Sequence, residues 1–206
     1  MLSKVLILSQ DDQYHKLETL GSLIVEWTKE LNLDIQISHE KDAIFKLKDF
    51  DLCLLCMTVG KFTDEEEQAL VDFVKAGKSL FAFHSASVID EKNTKYIDLL
   101  SGRFLNHSPY QEFSVTIVDK QHPVTKGVSD FKISDELYVL DREPKDAHVM
   151  ATAWDNKAQP MVYSKKYGDG TVLYNAMGHD EAAFNNPSYR QLTVQGIKWL
   201  LLLNNY

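Results

Sequence analysis

Ser79-Leu80-Phe81-Ala82-Phe83-His84-Ser85-Ala86-Ser87 decides how this chain is read. An apolar run ends abruptly at a histidine, and small residues follow. The run comes directly after a helical stretch and Gly77, so it reads as a strand buried on both faces, as in parallel sheets. Polar residues just past the carboxyl end of such a strand sit where open α/β sheets hold their ligands. His15, His107, Asp135-Glu136 and Gly178-His179-Asp180 repeat that logic elsewhere in the chain.

Toward the N-terminus, Lys4 to Ser9 reads as a first strand. Leu17, Leu20, Ile24, Trp27 and Leu31 step by three and four, which places them on one helical face. Asp34 to Ser38 alternates as a second strand, and Asp51 to Met57 is a continuous apolar third. Thr63-Asp64-Glu65-Glu66 is a capping box. It opens a helix that turns Ala69, Leu70, Phe73 and Val74 inward and stops at Gly77. Strand-helix alternation of this kind predicts a parallel sheet covered on both faces.

Toward the C-terminus the pattern changes. Glu112 to Val118 alternates Phe113, Val115 and Ile117 with polar residues, as a half-exposed strand does. Leu137 to Leu140, His148 to Trp154 and Met161 to Lys165 read as further short strands. Tyr167-Gly168-Asp169-Gly170 is a turn signal. Thr171 to Ala176 returns to the buried type. A closing helix from about Ser188 carries Tyr189, Leu192, Gly196, Trp199, Leu200 and Leu203 on its inner side. With no repeat and no linker rich in Pro, Gly or Ser, residues 1–206 are expected to form one α/β domain. Its antiparallel elaboration precedes the last core strand.

The 206 residues are 44% hydrophobic and 25% charged, ordinary values for a soluble globular protein. A formal charge of −8 argues against nucleic-acid or anionic-membrane partners, which call for clustered Lys and Arg. No run approaches the roughly 18 apolar residues of a membrane span. Val5 to Leu8 is too short for a signal-peptide core. Cys53 and Cys56 lie on one strand with their side chains on opposite faces, so they are expected to be reduced and buried, not bridged. Together these features predict a cytoplasmic protein.

The candidate chemistry rests on imidazoles and carboxylates. His84 follows a buried strand and has space beside it. His179 follows the last core strand, with Asp180 placed to orient its ring. Glu136 brings a carboxylate, followed by Leu137 and Tyr138. His15 and His107 complete the set, although His15 also fits a helix cap and His107 a mobile loop. An imidazole exchanges protons near neutral pH, which suits acid–base work. His39, His122 and His148 lack such a context, and His122 is assigned to the turn with Pro123. No cofactor is demanded. The same inventory nevertheless matches zinc or another first-row divalent ion, with His84, His107, His179 and Glu136 as its ligands.

Taken in order, these segments resemble the ThuA-like (trehalose-utilisation) family, of the class I glutamine amidotransferase-like fold superfamily. The resemblance is carried by His15, Phe50-Asp51, the helix Thr63 to Ala76, His84-Ser85-Ala86-Ser87, Gly102-Arg103-Phe104 with His107, and His122 to Gly127. It continues through Asp135-Glu136-Leu137-Tyr138, Tyr167 to Val172, Gly178-His179-Asp180 and Gly196-Ile197-Lys198-Trp199. One departure is Met161-Val162-Tyr163, where the family usually carries an aromatic, often Trp. The resemblance implies a three-layer, flavodoxin-like, mostly parallel sheet. It also implies that Phe83-His84-Ser85 stands at the turn where class I amidotransferases carry their nucleophilic cysteine. Thiol-dependent glutamine hydrolysis is therefore not expected.

The resemblance further implies an enzyme acting on a sugar or keto-sugar. Histidine and carboxylate chemistry suits proton abstraction beside a carbonyl, as in an isomerase or lyase. On this reading His84, His179 and Glu136 are catalytic. His15, His107, Tyr110, Tyr138 and Asp180 bind substrate, and Tyr110, Tyr138 and Trp154 stack on a pyranose. The alternatives are a serine hydrolase, with Ser85 as nucleophile, His179 as base and Asp180 or Glu136 as orienter, and a non-catalytic sugar-binding domain. The first lacks a Gly-x-Ser-x-Gly elbow. Self-association is left open.

Overall fold

Burial on both faces is what the central strands require, and the architecture supplies it. The computed structural model describes residues 2–203. In chain order the elements are β1 (Lys4–Gln10), α1 (Leu17–Thr28), β2 (Asp34–Ser38), β3 (Leu52–Met57), α2 (Asp64–Lys75), β4 (Ser79–Phe83) and α3 (Thr94–Leu100). Then follow β5 (Phe104–His107), β6 (Gln111–Ile117), β7 (Phe131–Asp135), β8 (Tyr138–Leu140), β9 (Ala147–Asp155), β10 (Lys157–Tyr167) and β11 (Gly170–Asn175). The last two are α4 (Glu181–Phe184) and α5 (Pro187–Leu203). Of Leu203 only the backbone is described.

A nine-stranded sheet runs in the order β2-β1-β3-β4-β11-β10-β9-β6-β7. The pairings from β2 to β11 are parallel, and those from β11 to β7 are antiparallel. Helices α1 and α5 pack on one face, and α2 lies on the other with α3 and the 3-10 stretch Lys41–Asp49. Every residue of β3, β4 and β11 is buried between these layers. This is the three-layer architecture expected, with its antiparallel half joined at β11. A separate ribbon pairs β5 with β8.

Local chemistry explains the boundaries. The Thr63 hydroxyl accepts the Glu66 N–H and Glu66 reaches back to the Thr63 N–H, so the capping box forms at the start of α2. Gly77, at φ +95°, turns the chain from α2 into β4. The Asp51 carboxylate accepts the Lys4 N–H at 2.9 Å and lies 2.7 Å from Lys78 Nζ, tying the starts of β1, β3 and β4 together. Cys53 and Cys56 are buried and free, and burial pushes both thiols up. Strand β10 begins four residues before the expected Met161, passing Pro160 at an irregularity where the ladder shifts register. Met161, Val162 and Tyr163 are all buried, with the Tyr163 hydroxyl donating to the Leu100 carbonyl, so this departure from the family pattern sits in the core.

Candidate active site

Loops after β1, β4 and β11, at the carboxyl edge of the parallel strands, bring their histidines to the β7–β8 connection, and Thr58, after β3, joins them. In the loop after β1, the Asp12 carboxylate accepts the backbone N–H of Tyr14 at 2.7 Å and of His15 at 2.8 Å. It also lies 2.9 Å from His15 Nδ1 and takes the Thr58 hydroxyl. Burial raises the Asp12 pKa, but the bonds from Thr58, His15 and the backbone outweigh it and hold the carboxyl at about 2. An ionised Asp12 keeps the proton on His15 Nδ1 and leaves Nε2 as an acceptor. That Nε2 is buried without a hydrogen-bond partner among the described residues.

His84 stands at the corner where β4 passes into the 3-10 turn His84–Ser87, with φ +40° and no exposed surface. The Tyr174 hydroxyl braces the corner, 2.8 Å from the His84 carbonyl and 2.9 Å from Ser87 Oγ. His84 Nδ1 is 2.8 Å from the Ala176 carbonyl, which can only accept, so Nδ1 carries the proton and Nε2 the lone pair. Burial pushes the His84 pKa well below the usual histidine range. Its ring packs on Tyr138, with centroids 3.9 Å apart.

His179 and Glu136 are fixed by one residue. The Asp135 carboxylate, wholly buried, accepts the N–H groups of Gly178 at 2.7 Å, His179 at 3.2 Å and Glu136 at 2.7 Å. Burial raises the Asp135 pKa to about 7 against those three bonds. Glu136 Oε2 then lies 3.2 Å from His179 Nδ1 and 3.8 Å from His84 Nε2, while Oε1 lies 3.6 Å from His107 Nδ1. Burial lowers the His179 pKa, and the Glu136 charge opposes that shift. The rings of His15, His84 and His179 form a triangle with centroid separations of 5.2, 5.0 and 5.6 Å. Among the described residues, one donor atom each from His15, His84, Glu136 and His179 lies within 4.8 Å of the others.

His15 and Glu136 also line a cavity of about 490 Å3, whose apolar walls include Tyr14, Phe104 and Tyr138. His107, partly exposed at the end of β5, lines it too. Its Nδ1 is 2.7 Å from the Ser108 carbonyl, so the clustered donors include His15 where the sequence suggested His107. Tyr110 is 46% exposed, with its ring 5.7 Å from that of His179. Burial and a hydrogen bond to Asp180 push the Tyr110 hydroxyl to about 12.

Asp180 does not orient the His179 ring. Its carboxylate caps α4, accepting the N–H groups of Ala182 and Ala183. Ser85 Oγ is buried with no hydrogen-bond partner among the described residues, so no hydrogen bond joins it to His179 and the Ser85 triad is not assembled. His15 makes no cap on α1. Trp154, on β9 and 75% exposed, is not among the cavity-lining residues. Asp12 and Thr58 are site residues missing from the sequence assignment, and Asp135, noted there beside Glu136, has no role in it. An Asp three positions before a loop histidine was the available signal for Asp12, because that spacing closes an Asx turn.

The sequence profile of the ThuA family, described as trehalose utilisation, matches residues 4–200. No curated protein matches the chain in sequence. In structure it is similar to a ThuA-like protein from Bacteroides uniformis, at 20% identity and a TM-score of 0.84, over 96% of this chain and 91% of that one. It is also similar to a ThuA-like protein from Parabacteroides merdae, at 17% identity and a TM-score of 0.77, over 97% and 90% of the two chains. A GMP synthase subunit from Thermoplasma acidophilum shares the fold at 10% identity and a TM-score of 0.63, over 96% and 94%. Among the described residues, no helix is long and apolar enough to cross a membrane.

Proposed function

This chain belongs to the ThuA, or trehalose utilisation, family, and from that premise we propose that it is an enzyme moving protons beside the carbonyl of a sugar-derived substrate. One observation carries the reading: three imidazoles from distant loops converge on the single carboxylate of Glu136 beside a cavity with aromatic walls. The family description suggests the substrate class. The cavity suits it, because aromatic walls take the apolar face of a pyranose while imidazoles and carboxylates bind its hydroxyls.

Roles follow from burial and proton placement. His179 is only partly buried and lies beside Glu136, so this pair takes the proton from carbon and returns it. His107, at the rim and also beside Glu136, exchanges protons with solvent. Tyr138 and Phe104 hold the ring of the sugar. Deuterium exchange tests the proposal. A ketosugar incubated with the protein in deuterated water should exchange one carbon-bound hydrogen, followed by NMR, and Glu136→Gln should slow that exchange at least 100-fold. No exchange across a panel of ketosugars, or equal rates in Glu136→Gln, would remove the proton-transfer reading.

A further inference from the structure

We infer that His15, His84, His179 and Glu136 form a binding site for a first-row divalent metal ion, of the zinc class. The inference concerns the cavity of the proposed enzyme but stands on side-chain geometry alone, whatever the substrate.

The first ground is an excess of lone pairs. His15 Nε2, His84 Nε2 and His179 Nδ1 are all buried, and none has a hydrogen-bond partner among the described residues. The outer nitrogens of His15 and His84 are committed to Asp12 and to the Ala176 carbonyl, which leaves both inner nitrogens bare. The carboxylate gathered with them is another acceptor, with Glu136 Oε2 3.8 Å from His84 Nε2. Lone pairs gathered out of water with too few donors to meet them are costly unless a cation sits between them.

The second ground is the supporting shell. Metal-bound histidines characteristically donate their other N–H to a carboxylate or a backbone carbonyl, and His15 and His84 show one case of each. The third is spacing. A tetrahedral ion with bonds of about 2.0–2.1 Å holds its donor atoms about 3.3 Å apart. Glu136 Oε2 stands 3.2 Å from His179 Nδ1 and 3.8 Å from His84 Nε2. Three imidazoles with one carboxylate favour zinc, cobalt, nickel or iron over magnesium or calcium, which prefer oxygen. The ion would face the cavity through His15 and Glu136, where it could polarise a substrate oxygen. His107 lies outside the set and keeps its place at the rim beside Glu136.

Cobalt titration of the chelator-treated, folded protein tests the site, since Co2+ reports its coordination in the visible spectrum. One equivalent should bind with bands of a four- or five-coordinate ion, and one equivalent of Zn2+ should displace it. Glu136→Gln and His15→Ala should each weaken binding at least 100-fold, whereas His107→Ala should bind within a few-fold of the parent. Folding of each variant is checked by circular dichroism, and Glu136→Gln alone suffices if His15→Ala does not fold. Folded parent protein that binds no cobalt, or equal binding by Glu136→Gln, would overturn the inference. Binding without deuterium exchange on ketosugars would uphold the metal site and remove the proton-transfer reading. Exchange by protein that binds no metal would do the reverse.

Discussion

The carboxylate of Asp12 and Nδ1 of His15 lie 2.9 Å apart, and this contact decides which nitrogen His15 presents to the other imidazoles. Asp12→Asn keeps the shape of the loop and an oxygen for the Tyr14 and His15 N–H groups, but loses the charge that fixes the tautomer. Removing such an outer partner typically costs 10–100-fold. A loss of that size in cobalt affinity or exchange rate is expected, with a melting temperature within a few degrees of the parent. An unchanged affinity and rate would deny Asp12 its positioning role.

Gly178→Ala should damage the site more than the fold. Gly178 has φ +116°, and an added Cβ would stand 2.5 Å from the Tyr189 hydroxyl. Relief requires moving the backbone that carries His179. Overpacking of this kind costs about 1–3 kcal/mol, measurable by urea unfolding. The exchange rate should fall at least tenfold, and a variant as active as the parent would contradict the rigid placement of His179.

Acid sensitivity should trace in part to Asp51. Burial raises its pKa, but the bonds from Lys78 and the Lys4 N–H outweigh that and hold it below the ordinary 3.8. A carboxyl depressed in the folded state contributes stability that is present above about pH 4 and lost as pH falls below it. Asp51→Asn should therefore lower stability near pH 7 and flatten its decline between pH 4 and 2. Parallel urea curves for parent and variant across that range would count against the assignment.

Thr63→Ala removes the hydroxyl that accepts the Glu66 N–H at the start of α2. The expected cost is about 1 kcal/mol, read as a lower urea midpoint at unchanged slope. A midpoint within error of the parent would mean that the cap is satisfied otherwise.

The parallel half is the most legible part of the chain. Runs such as Leu52–Met57 and Ser79–Phe83 are apolar throughout because helices cover both faces, so composition alone marks them. Strands β5 and β7 carry too faint a pattern to read, since short half-exposed segments such as Phe131–Asp135 have only two apolar positions, and helix α3, although it buries Tyr96, Ile97, Leu99 and Leu100, is only seven residues long. In the site, histidines past strand ends are visible because residue type and position coincide there. What the chain cannot show is which carboxylate faces which ring. Asp180 follows His179 directly yet serves a helix, while Glu136, 43 positions away from His179, reaches it because Asp135 grips both loops. Adjacency in sequence misleads, and burial explains why. Asp135 has no exposed surface and must commit its oxygens to backbone N–H groups.

Strand β11 slots between β4 and β10, so the chain returns to the middle of its sheet only after the outer strands are made. His179 and the Ala176 carbonyl that aligns His84 both arrive with that return. A ribosome-bound chain halted before β11 would hold His15, His84 and Glu136 without the strand that draws them together. Capture of a ligand there would accordingly report completed synthesis of the sheet, and circular permutants opened at the Gly168-Asp169 hairpin would delay or advance that moment according to which half emerges first.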